Sequence, residues 1–324
     1  MKVFINKRIP EIGINMLKNE GLDIVFPENE DLSYDEWLQY CRNTDVILNV
    51  GSTFRYDKAF FDECPDIKAI ALYSVGFDHV DIQEAVHRKI PIGNTPDVLS
   101  KATSDTAFLL MQSVARRAAY NFRKVKEGNW GPFDPMKALG QELYGKTIGI
   151  FGLGRIGFEM AKKSLSAFDM KVIYHNRHRN EEAEQVLNAE YVSFEELVRK
   201  SDVLSVHASF TPEQQHLFNR SVFKRMKPDA IFINTARGGF HNQKDLYDAI
   251  VSGEIWGAGL DVTNPEPIPE DDPILELSTV CVFPHIGSAT IEARNGMARL
   301  AAENIIAFSK GQKMPHCANP EIYS

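Results

Sequence analysis

Cysteine is scarce in this chain. There are four in 324 residues, at Cys41, Cys64, Cys281 and Cys317. None form a CxxC pair, and none cluster with histidine at metal-ligand spacing, so neither a disulfide framework nor a zinc site is expected. Basic runs are missing as well. Lys and Arg number 36 against 44 Asp and Glu, for a formal net charge of -8. That balance argues against nucleic-acid binding driven by phosphate contacts. It leaves room for a small anionic ligand, because a site can be locally positive inside an acidic protein. Long apolar runs are absent too. The most apolar helical stretch, around Ala107 to Met111, falls far short of a membrane span. Residues 1–10, MKVFINKRIP, lack the apolar core of a signal peptide. A cytosolic protein that neither enters a membrane nor binds nucleic acid is the expectation.

What is present is strand–helix alternation, repeated twice. At about 150 residues per domain, the length suggests two domains. Short apolar runs at 2–5, 23–26, 45–49, 68–72 and 90–92 read as buried strands. Helical patterns fall between them at 11–19, 34–42, 56–63 and 79–88. The pattern restarts at 147–151 and continues with strands at 171–174, 203–206, 230–234, 256–260 and 279–283. Helices fit 155–168, 194–200, 221–226 and 243–251. Such alternation predicts parallel sheets covered on both faces. The fold class expected is therefore α/β, with two doubly wound parallel-sheet domains. Segment 101–127 shows no strand signal and reads as a connecting helix ended by Gly128; another helix fits 289–310. Residues 1–100 and 288–324 should form one domain, interrupted by a second at 101–287.

The clearest motif is the turn Gly152-Leu153-Gly154-Arg155-Ile156-Gly157. It follows the strand TIGIF and opens a helical pattern, the context of a dinucleotide-binding turn. Gly152 permits the tight turn, Gly154 lets backbone approach a pyrophosphate, and Gly157 lets helix and strand pack closely. The helix N-terminus adds amides and a positive dipole end. About 20 residues on, an NAD-binding turn should carry an acid. The residues there are Asn176, Arg177, His178 and Arg179. With the acid missing, Asn176 can donate to a hydroxyl or phosphate, and Arg177 and Arg179 can pair with a 2′-phosphate. NADP(H) is thus expected over NAD(H), against the plainer alternative of a solvated basic turn.

In open parallel sheets, ligands bind beyond the carboxyl ends of the strands. The residues just past the later strands are His207, then Thr235, Ala236 and Arg237, then Asp261, then Pro284 and His285. In the first half they are Val50 and Gly51, then Tyr73, Ser74, Val75 and Gly76. Two such crests facing each other would make a cleft. Arg237, in Thr-Ala-Arg-Gly-Gly, can hold a carboxylate bidentately. His285 is a candidate general acid or base, since imidazole titrates near neutral pH. Glu266 sits in a loop stiffened by Pro265 and Pro267. A carboxylate beside His285 would favour imidazolium and orient the ring. Spacing alone does not separate that role from an exposed loop acid.

These residues together resemble the D-isomer-specific 2-hydroxyacid dehydrogenases. The resemblance rests on Asn94-Thr95-Pro96-Asp97, the turn Gly152 to Gly157, Asn234 to Gly238, Gly259 to Val262, Pro265-Glu266-Pro267 and Pro284 to Ser288. Within the family, Gly259 to Thr263, Pro284 to Thr290 and Asn94 to Leu99 look most like glyoxylate/hydroxypyruvate reductases. The resemblance implies a flavodoxin-like substrate domain and a Rossmann cofactor domain. It implies that Arg237, Glu266 and His285 form the catalytic set, and that amides of Val75 and Gly76 bind the substrate carboxylate. It implies that Asp261 contacts the nicotinamide carboxamide, and that Thr103 and Ser288 line the nicotinamide and substrate region. A homodimer through segment 101–145 is implied as well.

Several points set this chain apart. Asn176 replaces the usual acid, which within the family also points to NADPH. Loop 133–137 lacks the tryptophan of the human-type reductases, which puts hydroxypyruvate specificity in doubt. Phe240 and His241 stand where small or branched apolar residues are common, and the sequence offers no account of His241. Fermentative D-lactate enzymes and 2-ketogluconate reductases are rivals within the family; short phosphoglycerate dehydrogenases are a more distant one. A non-catalytic dinucleotide sensor is the rival class, disfavoured because a sensor needs no acid/base pair.

Overall fold

Most strands in this chain are short, apolar and buried on both faces, which a covered parallel sheet accommodates. The computed structural model describes residues 1–324. It divides into two compact units, Met1–Leu99 with Ser288–Ser324, and Ser100–Gly287.

The first unit carries β1 (Lys2–Ile5), β2 (Asp23–Val25), β3 (Val46–Asn49), β4 (Ala69–Leu72) and β5 (Ile92–Gly93), all parallel, in the order β2-β1-β3-β4-β5. This is the flavodoxin-like order, with its switch point between β1 and β3. Most of its helices start on side-chain caps. Ser33 and Glu36 form a capping box, and Asp57 and Asp81 each accept from an amide three residues on. One face of the sheet is filled by Phe4, Trp37, Tyr56, Phe60 and Phe61, all fully buried. The helix Ile291–Ser309 lies against Glu11–Asn19. The two approach closely at Gly13, where a Cβ would stand 2.6 Å from the Ala298 carbonyl oxygen. The tail then ties to β5, with Asn319 bonding Ile92 N and Ile90 O through its two side-chain polar atoms. An otherwise open sheet edge is thereby covered.

The second unit carries β6 (Thr147–Phe151), β7 (Lys171–His175), β8 (Glu190–Tyr191), β9 (Val203–Val206), β10 (Ile231–Asn234), β11 (Gly257–Leu260) and β12 (Val280–Val282). All pairs are parallel, in the order β12-β11-β10-β9-β6-β7-β8. This is the Rossmann order with one extra strand, and the switch point falls between β6 and β9. The expected α/β class with two doubly wound parallel sheets is what the chain adopts.

Three local features depart from the sequence reading. The expected helix over 101–127 is two helices, Ser100–Ala115 and Ala118–Lys126, separated by Arg117 at φ +53°. The break frees carbonyls that other segments use: Gln141 N donates to Ala115 O at 2.8 Å, and Trp256 Nε1 donates to Val114 O at 3.4 Å. Gly140 is required there, because a Cβ would meet Ala115 O at 2.2 Å. A helix at Glu181–Leu187, capped by Asn180, and the two-residue strand β8 complete the sheet's edge beyond β7. No helix is long and apolar enough to cross a membrane.

Candidate active site

The glycine turn after β6 behaves as three different glycines. Gly152 has φ +95°, and a Cβ there would meet Ala208 N at 2.3 Å. Gly157 sits against Gly152 O and Ile150, at 2.5 and 2.9 Å from a notional Cβ. Gly154 has nothing within 4 Å of that position, so backbone is exposed on its outer side. Gly154 is also the N-cap of the helix Arg155–Phe168 and offers no side-chain cap. The first-turn amides, including those of Arg155 and Ile156, therefore point outward with the dipole behind them. This cradle fits a dinucleotide pyrophosphate.

The end of β7 is organised differently from the sequence expectation. Asn176 Oδ1 accepts from Leu153 N at 2.6 Å, and its Nδ2 donates to Leu153 O at 3.3 Å. Asn180 Nδ2 donates to the same carbonyl at 3.0 Å. Asn176 thus braces the glycine turn, with one N–H left over. Arg179 is paired with Glu184 at 2.5 and 3.0 Å. The helix at Glu181 brings an acid back to a turn that looked free of one, so Arg179 is not a free phosphate ligand. Arg177 is exposed with no ion pair, and is the guanidinium that remains.

Beyond β9, β10, β11 and β12 the crest residues come together. Asn234, at the end of β10, is fully buried. Its Oδ1 accepts from Ala236 N at 3.0 Å and its Nδ2 donates to Arg237 O at 2.9 Å. Thr235 Oγ1 lies 3.5 Å from His207 Nδ1, and Ser205 Oγ lies 2.8 Å from His207 Nε2. Burial pulls the His207 imidazole down to about 3, so it is neutral. The same cause brings His241 down to about 4. Past β11, the buried Asp261 accepts from Ile286 N and Gly287 N, both at 2.7 Å. Burial pushes its carboxyl up, against those two amide bonds. Gly287 is squeezed between Asp261 and Thr103, 2.9 and 3.2 Å from a notional Cβ.

That clasp holds His285, which adopts φ +53°. Its Nδ1 lies 2.5 Å from Glu266 Oε1. Glu266 comes from the loop between Pro265 and Pro267 and also accepts from Thr263 N at 3.4 Å. Burial works to raise its carboxyl pKa, but the His285 bond and charge, the Thr263 amide and the Arg237 charge together hold it below the usual range. Arg237 Nη1 donates to Ala236 O at 2.8 Å. The next residue, Gly238, packs on the Thr263 carbonyl, where a Cβ would clash at 1.8 Å. The segments bearing Arg237 and Glu266 are therefore locked together.

In the first unit, Asn6 clasps Val50 in both directions, with Val50 N to Oδ1 at 2.7 Å and Nδ2 to Val50 O at 3.0 Å. Asn49 Nδ2 donates to Gly51 O at 2.6 Å, and Gly51 has φ +86°. Asn94 Nδ2 holds Val75 O at 3.0 Å, and Ser74 Oγ holds Gly76 O at 2.7 Å. The amides of Val75 and Gly76 have no protein acceptor. Ser288 opens the return segment, its carbonyl accepting from Thr290 N at 2.9 Å. The sequence reading missed these asparagine braces. Their only signal was asparagine recurring at or just past strand ends.

A family model for the NAD binding domain of D-isomer specific 2-hydroxyacid dehydrogenases matches residues 108–287. The chain belongs to this family. It is accordingly an NAD(P)-dependent oxidoreductase whose reaction class is reduction of 2-oxo acids. A glyoxylate reductase of Pyrococcus horikoshii is 42% identical over 325 aligned residues, covering 99% of this chain and 96% of that protein. The crystal structure of a Thermus thermophilus protein is 36% identical at TM-score 0.91, covering 98% of this chain and all of that one. A Sinorhizobium meliloti NADPH-dependent glyoxylate/hydroxypyruvate reductase, solved with NADP and malonate, is 28% identical at TM-score 0.83, covering 98% and 96%.

The two neutral histidines, His207 and His241, give a pH prediction. Their folded values, about 3 and about 4, lie below the ordinary 6.5. Their full contribution to stability is present above pH 6.5 and is lost as pH falls towards those values, because only the unfolded chain takes up the protons. Urea unfolding between pH 6.5 and 4.5 should show a falling stability. His241→Asn should reduce that slope by up to about 1.4 kcal/mol per pH unit. Equal slopes for parent and variant would contradict the assignment.

Proposed function

We propose that this enzyme reduces a small 2-oxo acid of the glyoxylate or hydroxypyruvate type to the D-2-hydroxy acid, with NADPH preferred to NADH. The observation that carries the reading is the 2.5 Å pair between His285 Nδ1 and Glu266 Oε1, beside Arg237. Glu266 orients the ring through that bond. Nε2 then faces away from Glu266 and is the atom that delivers a proton. Arg237 holds the substrate carboxylate and polarises the carbonyl.

A nicotinamide held there would supply the hydride for the substrate's carbonyl carbon. The proton on the carbonyl oxygen comes from His285, so one hydride and one proton convert ketone to alcohol. Gly152, Gly154, Arg155, Ile156 and Gly157 would hold the pyrophosphate. Thr103, His207, Thr235, Ala236 and Asp261 would line the nicotinamide end. We assign the first unit's share of substrate binding to Val50, Gly51, Val75, Gly76 and Ser288. The free Val75 and Gly76 amides support this.

NADPH preference rests on Arg177, the exposed guanidinium past β7, and is supported by the NADPH-dependent Sinorhizobium neighbour. The choice of glyoxylate is supported by the curated relatives bearing that name. We also infer a homodimer through segment 101–145. There Phe122, Trp130, Phe133, Met136 and Tyr144 are between 66% and 92% exposed, an unusual apolar display for a lone chain. Four free cysteines and use of NADPH fit a cytosolic enzyme.

A panel of glyoxylate, hydroxypyruvate, pyruvate and 2-ketogluconate with both cofactors tests the reading. Turnover should be highest with one of the first two and with NADPH. Tight NADPH binding without turnover of any member would favour a sensor. Asn176→Asp with Arg177→Ser should abolish the NADPH preference; a preference that survives would sink the role of Arg177. Sedimentation of the same preparation should give twice the chain mass, and a monomer would remove the dimer from the account. In a separate variant, His285→Ala should keep NADPH binding while kcat falls by about 10²-fold or more. A loss under about tenfold would be too small for a general acid.

A further inference from the structure

His241 is fully buried, takes no part in the proton transfer just described, and stands where an apolar residue would pack with no desolvation cost. Its surroundings explain why it is there. Asn234 Nδ2 approaches His241 Nδ1 at 3.0 Å while the same nitrogen donates to Arg237 O at 2.9 Å. The amide orientation is set by Oδ1, which accepts from Ala236 N at 3.0 Å. Nδ2 can only donate, so Nδ1 accepts and the ring proton sits on Nε2. Nε2 lies 2.9 Å from Gln243 Oε1, whose own Nε2 reaches Asp272 Oδ2 at 3.4 Å. Asp272 in turn caps the next helical turn through Ile274 N at 3.0 Å.

We propose that His241 is a positioning residue for Arg237, acting through Asn234. The chain Asp272–Gln243–His241–Asn234 orients one carboxamide, and that carboxamide fixes both Ala236 N and Arg237 O. The arginine's backbone is thereby held on either side of its Cα. On its other flank, Gly238 abuts the Thr263 carbonyl. The guanidinium starts from a backbone with no freedom to rotate, and a bidentate grip on a carboxylate demands that. An apolar residue at 241 would leave one buried N–H of Asn234 without an acceptor. The carboxamide could then satisfy that group only by turning away from Arg237. His241 touches neither substrate nor cofactor. The inference rests on the 2-oxo acid reductase reading, because it concerns how firmly that substrate's carboxylate is held.

The test compares three variants with the parent. His241→Val removes the acceptor; His241→Asn keeps one, since Oδ1 occupies the place of Nδ1. Gln243→Ala, at a half-buried position, removes the acceptor of the ring's Nε2 proton together with the link to Asp272. Measured for each are kcat and KM with the best 2-oxo acid, Kd for NADPH by fluorescence, and Kd for oxalate on the NADPH complex. His241→Val should raise KM and the oxalate Kd by about tenfold, the effect of one unsatisfied buried group. NADPH Kd should change by less than about threefold, well short of the oxalate effect, since the pyrophosphate turn belongs to a different part of the sheet and only Ala236 at the nicotinamide end shares the Asn234 brace. His241→Asn should restore oxalate binding to within about threefold, and Gln243→Ala should fall between. If His241→Val does not fold, the Asn and Gln243 variants alone decide. Parent-like oxalate Kd in Gln243→Ala, or a weakened Kd in His241→Asn as large as expected for Val, would overturn the proposal. So would unchanged oxalate binding in folded His241→Val. A parent without turnover of any 2-oxo acid would instead overturn the function itself, and this inference with it.

Discussion

Both units depend on one kind of interaction. At the carboxyl ends of the strands, a carboxamide or carboxylate side chain bonds the backbone of a loop. Asn6 holds Val50, Asn49 holds Gly51 and Asn94 holds Val75 in the first unit. Asn176 holds Leu153, Asn234 holds Ala236 and Arg237, and Asp261 holds Ile286 and Gly287 in the second. A parallel sheet leaves these loops without ladder partners just where they must turn sharply. Backbone groups removed from water there need partners, and an unpaired one costs about 1–3 kcal/mol. Asparagine supplies a donor and an acceptor in one rigid plane, which suits a peptide group facing it.

The arrangement matters because the loops so held carry the chemistry. His285 adopts a left-handed conformation that a side chain enters at a cost of about 1–2 kcal/mol. Two short bonds from the following amides to a buried carboxylate, each about 1.5–3 kcal/mol, outweigh it. The ring is then set by Glu266 from a separate loop, and Glu266 is kept ionised by His285 and Arg237. Arg237 has its own brace in Asn234. The three residues rest on separate supports, the Asp261 clasp, the Thr263 amide and the Asn234 carboxamide, while the side chains' charges act on one another.

Much of this was legible in the sequence, and the rest was not, for identifiable reasons. Eleven strands follow from apolar runs because parallel strands are buried on both faces and leave continuous hydrophobic stretches. The helix Arg155–Phe168 follows from the glycine turn that opens it. Arg237, Glu266 and His285 stand out by position at strand ends and in a proline-flanked loop. Their pairing does not: His285 and Glu266 are separated by 19 residues, and only folding brings them to 2.5 Å. The asparagine braces were invisible because asparagine past a strand reads equally well as a turn residue. The helix Glu181–Leu187 was signalled by Asn180 and three acids in its first turn. The break at Arg117 depends on Gly140 and Gln141 returning to Ala115, a tertiary cause with no local signature.

Native-state amide hydrogen exchange tests the central claim most directly. Ile286, Gly287, Leu153, Val50 and Ala236 all lie in loops, and a loop without braces exchanges nearly as fast as a free peptide. If side chains at the strand ends hold these loops, their five amides should exchange far more slowly, with Ile286 and Gly287 protected about as well as neighbouring strand residues. Exchange at loop rates for those two amides in the folded protein would mean that the Asp261 clasp does not hold His285, and the account would fail at its centre.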